Sequence, residues 1–144
     1  MATTRDIRRL AFQTLYQLDA RGAEPGSEDA ADVLASLEGA EEFSGGDRRK
    51  AFALAEAAYD SRHAADAEFE GLAPTWPASR QAAVDRAVLR LAHHEIVSGT
   101  TPPKAAVNEA VELAKKFGSE KSPSFVNALL DKVLKRVLQD AAGS

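Results

Sequence analysis

The chain has 144 residues, the length of one domain, and a fold of that size can bury roughly two-thirds of its unfolded surface. Leu, Ile, Val and Phe supply 14, 2, 9 and 6 residues, Ala supplies 29, and the net charge is only -4, so the composition favours folding and leans strongly helical. The absence of cysteine excludes disulfides, thiolate metal sites and cysteine nucleophiles; no uncharged run approaches the ~20 residues of a membrane span, and a start charged at Arg5, Asp6, Arg8 and Arg9 is no secretory signal. A cytoplasmic chain with no membrane partner is the expectation.

From the N-terminus, Ile7, Leu10, Ala11, Thr14, Leu15 and Leu18 recur at helical spacing and predict a helix over 4–20. Thr3 and Asp6 are placed to cap its start, and Gly22, Pro25 and Gly26 end it. A shorter helix fits 28–41, with Val33, Leu34 and Leu37 facing inward. Ser44-Gly45-Gly46 breaks it, and Asp47 can cap a third helix reaching about Phe69 on Ala51, Leu54, Ala55, Ala58 and Tyr59. Gly71 to Pro77 is a proline-containing turn that holds the only tryptophan, Trp76. Helical spacing returns over 78–97 through Val84, Val88, Leu91 and Ala92, and stops at Gly99. Pro102-Pro103 opens a helix lined by Val107, Ala110, Val111 and Ala114 and closed by Gly118. Ser122-Pro123 opens the last one, which carries Phe125, Val126, Leu129, Leu130, Val133 and Val137 to about Gln139. No stretch alternates with period two. The reading is one all-α domain over 1–144, a compact bundle of six or seven helices. Asn108 and Asn127 fall inside helices, where asparagine is unfavourable, and are expected to bond between helices.

The acidity is local. Residues 23–47 hold eight acids and no Lys or Arg, while the chain on either side is slightly basic, so an anion-binding face is compatible with the overall charge. Catalytic patterns are poor. His93 and His94 are adjacent and point about 100° apart on a helix, so they cannot share a metal. Ser44-Gly45-Gly46 lacks the lysine of a phosphate-binding loop. No catalytic residue, metal ligand or cofactor is assigned, and the chain is not expected to be an enzyme.

The first helix is more informative. Arg5 and Arg9 lie four residues apart, and Arg8, Phe12 and Tyr16 form an adjoining strip beside the core stripe. Guanidinium groups beside exposed rings suit RNA, because arginine pairs with phosphate and a ring stacks on an unpaired base. The alternative is that Phe12 and Tyr16 widen the buried stripe and the arginines are solvated. Arg86 and Arg90 repeat the spacing next to Asp85, with intrahelical pairing as their alternative use. Lys115, Lys116 and Lys121 cluster near a helix end, where lysines also complement the helix dipole.

The blocks 103–118 (PKAAVNEAVELAKKFG) and 125–133 (FVNALLDKV) resemble the bacterial transcription antitermination factor family NusB, as do 84–96 (VDRAVLRLAHHEI) and 8–16 (RRLAFQTLY). The match is good over about residues 5–20 and 82–137, while the acidic segment 21–47 is poorly matched. The resemblance implies an all-helical RNA-binding factor that acts in the RNA polymerase antitermination complex. With the ribosomal protein NusE it would hold the single-stranded boxA element of nascent ribosomal RNA. It places Arg5, Arg8 and Arg9, with Arg86, Arg90, Lys121 and Phe125, toward RNA, and Tyr16 and Asp85 toward the protein partner. The family includes monomers and dimers, so a homodimer through the Phe12/Tyr16 strip is the other use of that surface. Two further readings are an accessory domain of an rRNA cytosine methyltransferase and a protein-interaction module without RNA binding.

Overall fold

In the computed structural model the described residues are 2–22 and 29–143. They form seven α-helices in chain order: α1 (Thr4–Arg21), α2 (Asp29–Ser36), α3 (Gly45–Asp60), α4 (Arg62–Leu72), α5 (Ala83–Ser98), α6 (Pro103–Phe117) and α7 (Ser122–Ala142). Short 3₁₀ turns at Ala40–Glu42 and Ala78–Arg80 precede α3 and α5, and the described residues contain no strand. None of these helices is long and apolar enough to cross a membrane.

The α1 start is a capping box. Thr3 Oγ1 accepts from the Asp6 N–H at 3.1 Å, and Asp6 Oδ2 accepts from the Thr3 N–H at 2.9 Å. Gly22, at φ 63°, ends the helix in the left-handed region, where glycine carries no Cβ penalty. The expected breaks at Pro25 and Gly26 lie outside the described residues. One face of α1 puts Leu10 and Ala11 into a small cluster with Leu34, Ala40, Ala51 and Ala55. The other puts Phe12, Leu15 and Leu18 into the main core around α5.

Several local expectations need correction. The helix expected over 28–41 stops at Ser36 and is followed by a separate 3₁₀ turn, and the one expected over 78–97 begins at Ala83. The cap of α3 is Ser44, whose Oγ accepts from the Asp47 N–H at 3.0 Å, and not Asp47 itself. The single helix expected to reach Phe69 is two. At Ser61 the hydroxyl turns back to the Ala57 carbonyl at 2.8 Å, and the Arg62 guanidinium takes the Tyr59 carbonyl at 2.9 Å while lying over the Tyr59 ring. Side chains that capture carbonyls in this way compete with the helix ladder and redirect the chain. Asn108 and Asn127 do not bond between helices: both are exposed, and each lies one position off the buried stripe of its helix.

α5 is buried nearly all round and packs against α1, α3, α4, α6 and α7. Its apolar wall comprises Ala87, Val88, Leu89, Leu91, Ala92 and Ile96, yet it also buries Arg90, His93 and Glu95. Burying polar and charged groups of this kind is costly without partners, and those of Arg90, His93 and Glu95 come from the surrounding helices. α6 and α7 pack on one another across the tight connection 118–121. Gly118 is extended there rather than left-handed; a Cβ would sit 2.5 Å from Ser122 Oγ and 2.7 Å from the Ala114 carbonyl oxygen, so close approach is what demands glycine.

Candidate nucleic-acid interface

The arginines singled out from the sequence divide into two sets. Arg8 is only 7% exposed. Its Nε and Nη2 donate to Glu95 of α5 at 2.8 to 3.1 Å, and Thr101 donates to the same carboxylate at 2.6 Å. Arg90, equally enclosed, forks onto Asp66 of α4 at 2.9 and 2.7 Å and reaches Asp19 of α1 at 3.0 Å. Burial opposes its charge most strongly, but the two carboxylates outweigh that and its pKa is raised. Arg86 holds Asp19 at 2.6 and 2.9 Å and the Ala78 carbonyl at 2.7 Å. Arg8 and Arg90 thus spend donors on carboxylates of other helices, and the half-buried Arg86 on Asp19 and main-chain carbonyls; all three are engaged within the fold, although Arg8 also lines a cavity between α1 and α6, 3.8 Å from Glu109. The intrahelical pairing with Asp85 also fails, because both partners of Arg86 and Arg90 lie on other helices. Phe12 is buried too, its ring 5.1 Å from that of Phe117.

Arg5 and Arg9 do face outward. With Lys115 and Lys116 they rim a cavity of about 310 Å³ between the start of α1 and the end of α6, with Glu109 and Glu112 also lining it. Arg5, its side chain 67% exposed, forks onto Glu109 at 3.0 and 2.8 Å. The hydrogen bonds from Arg5 hold the Glu109 carboxyl below the usual glutamate range, and the same pair raises Arg5. Arg9 touches Asp6 at 3.8 Å, and Lys115 reaches Glu112 at 3.3 Å. Lys116 lies 5.6 Å from the Phe117 ring centroid. Arg9 and Lys116 also line a second cleft of about 250 Å³, whose other wall carries Glu38 and Glu42. The sequence shows Lys115 and Lys116 as a cluster that the helix dipole also explains; what it lacks is the tertiary signal joining them to Arg5 and Arg9, because α1 and α6 are distant in sequence.

The remaining candidates fall into two further concavities. Tyr16 is half-buried in an apolar groove of about 250 Å³ with Gln17, Leu37, Val84 and Phe117. Asp85, Lys121 and Phe125 are brought together around a cavity of about 530 Å³, joined by Trp76 and Arg80. Trp76 and Arg80 were not expected at a site, although a lone tryptophan in a proline turn is a signal that could have found one.

These features define a class: a small all-helical module with a basic face flanked by half-apolar grooves. Known proteins fill in the rest. The family model for the NusB family matches residues 5–135. A transcription antitermination protein NusB of Anaeromyxobacter sp. is 43% identical over 127 residues, covering 88% of this chain and 85% of the relative. The structure of T. maritima NusB superposes with a TM-score of 0.80 at 30% identity, covering 94% of this chain and 93% of that one. A structure of antitermination factors NusB and NusE in complex with dsRNA matches with a TM-score of 0.76 at 27% identity, covering 92% and 96%. The chain belongs to the NusB family.

Proposed function

We propose that this chain is an RNA-binding transcription antitermination factor that, with the ribosomal protein NusE, holds the boxA element of nascent rRNA in the RNA polymerase antitermination complex. The observation that carries the reading is the outward cluster of Arg5, Arg9, Lys115 and Lys116, built from two helix ends on a fold whose relatives include a NusB with NusE and RNA. Phosphates replace Glu109 as partner of Arg5, Glu112 as partner of Lys115 and Asp6 as partner of Arg9. The exchange costs little, since exposed ion pairs contribute little in water. Lys121 and Phe125 extend the track toward α7, and Tyr16 with its apolar groove is offered to NusE.

The test is retention of a boxA-type RNA, single-stranded and duplexed, by the chain with and without NusE. Single-stranded binding that rises with NusE is expected. With three to five phosphate contacts, log K falls against log salt at roughly -0.7 per contact. Reversing Arg5, Arg9 and Lys116 together abolishes retention but leaves NusE association intact. Equal, negligible retention with and without NusE defeats the reading.

A further inference from the structure

The glycine pair at 45–46 opens α3 beside a groove of about 380 Å³ that shares no residue with the four concavities already described. Leu34 and Ala35 of α2 form one wall, and Gly45, Arg48, Arg49 and Phe52 of α3 the other. The floor is firm, because Leu34 is buried in the small core cluster and Phe52 packs against both clusters. Arg48 and Arg49 stand exposed at the rim, and the exposed Lys50 follows them. None of the three meets a carboxylate or a hydrogen-bond acceptor among the described residues. Arg5, Arg8, Arg9, Arg86, Arg90 and Arg136, in contrast, each hold a carboxylate. Gly45 leaves room for the Arg49 guanidinium to lie back along the first turn of α3: a Cβ there would stand 3.5 Å from Nη1. The groove is apolar at its base and cationic along one edge, and those cations are uncommitted.

We propose that this groove is the docking site of an acidic amphipathic helix from a third protein, one that joins the chain without displacing RNA or NusE. The apolar base and the cationic edge select that occupant together. Apolar side chains three and four residues apart on the incoming helix cover Leu34, Ala35 and Phe52, as helices seated in grooves do. A helix satisfies its own backbone N–H and C=O groups, whereas an extended segment would leave them bare against apolar walls. Carboxylates along the flank of the helix meet Arg48 and Arg49, whose planar forks suit them, and no existing ion pair has to break first. Lys50 adds to the field that steers an acidic partner toward the rim. RNA fits less well. Leu34 and Ala35 have no π-face for a base to stack on, and the groove's polar side chains are arginines, which give a base edge donors but no acceptor. None of these residues serves RNA or NusE in the proposed function, so the two readings stand or fall separately.

The experiment pans a phage-displayed library of random peptides, each long enough for roughly four helical turns, on the full chain and on the same chain carrying Arg48→Glu with Arg49→Glu. Peptides enriched on wild type should combine Asp or Glu with apolar residues three and four apart. The most enriched peptide, labelled with fluorescein, is then followed by anisotropy. The charge-reversed chain should bind it about tenfold more weakly. Ala35→Arg keeps the cations but fills the groove from an exposed position, and should weaken binding as much. All three substituted positions are exposed, so both variants should keep the wild-type urea midpoint. Saturating NusE and a boxA-type RNA should leave the peptide in place. No enrichment over the charge-reversed chain overturns the docking site. So does a peptide that binds Ala35→Arg as tightly as wild type, which is charge attraction without a groove. Displacement of the peptide by NusE or by RNA gives the surface to that partner and overturns the proposal, as does self-association of the chain that Ala35→Arg abolishes. Each of these failures leaves RNA retention by the Arg5 and Arg9 face as a separate measurement.

Discussion

Arg8 shows how far residue spacing can be trusted. Its spacing with Phe12 and Tyr16 predicts a strip beside the core stripe, but Arg8 and Phe12 are buried, and nothing in the spacing identifies Glu95, 87 positions later, as the group that draws Arg8 inward. The pair is enclosed, with side-chain exposures of 8% and 2%, and Thr101 completes the carboxylate's bonding. Removing one partner leaves an uncompensated buried charge, which typically costs about 3–5 kcal/mol. Arg8→Ala is accordingly expected to lower the urea midpoint sharply, whereas Arg9→Ala leaves it nearly unchanged; equal midpoints would contradict the assignment of Arg8 to the core. Glu68 gives a pH signature. Burial opposes its ionisation and is the largest single influence, but hydrogen bonds from Arg136 and His93 together outweigh it, and its pKa falls below the ordinary 4.5. A folded-state value below the unfolded one adds stability that is fully present above pH 4.5 and lost as pH falls through the depressed range. In urea titrations from neutral pH downward, Glu68→Gln should start less stable than wild type, and the gap should close below pH 4.5. A gap that stays constant with pH counts against the pairing.

At the scale of elements, helix positions were legible because the apolar stripes, proline starts and glycine stops all agreed. Pro103, Gly99 and Gly22 mark ends in the structure as they do in the sequence. The break between α3 and α4 was not legible. An alanine-rich stretch continues through it, and the cause is one serine hydroxyl turning to the carbonyl of Ala57. Nor could periodicity show that Gly118 is needed for space. The Ser119 N–H and hydroxyl both meet Ser122 Oγ, at 2.9 and 3.2 Å, and this folds α7 back onto α6 tightly enough to exclude a Cβ at 118. Backbone cannot yield as a flexible side chain does, so Gly118→Ala forces the start of α7 to shift, at a cost of about 1–3 kcal/mol. That shift moves Lys121 and Phe125, which follow directly. The expected outcome is a lower melting temperature together with weaker RNA retention, while NusE association through the Tyr16 groove is kept. A variant as stable as wild type would mean the connection has slack that the contacts deny.

Over the whole molecule, the uneven charge acquires a spatial meaning that the sequence could not supply. The count of eight acids over 23–47 was readable, but not that two of them stand opposite the basic face. Glu38 and Glu42 line the far wall of the cleft whose near wall is Arg9 and Lys116. A phosphate entering there meets both signs, so the acidic wall limits where the RNA track can run. Each exposed carboxylate some 8 Å from a phosphate raises its energy by roughly 0.2 kcal/mol once salt screening is included. Two together should weaken RNA binding about twofold at physiological salt and more at low salt, where the Debye length grows. Glu38→Gln combined with Glu42→Gln removes that repulsion without touching the core, since both side chains are exposed. The double variant should bind a boxA-type RNA more tightly, and its advantage over wild type should shrink as salt rises from 50 mM toward ~0.5 M, where screening confines charge interactions to contact range. An advantage that persists undiminished at high salt would show that the two side chains obstruct the track sterically. No advantage at any salt would show that the RNA passes along the Arg5–Lys115 side of the face alone.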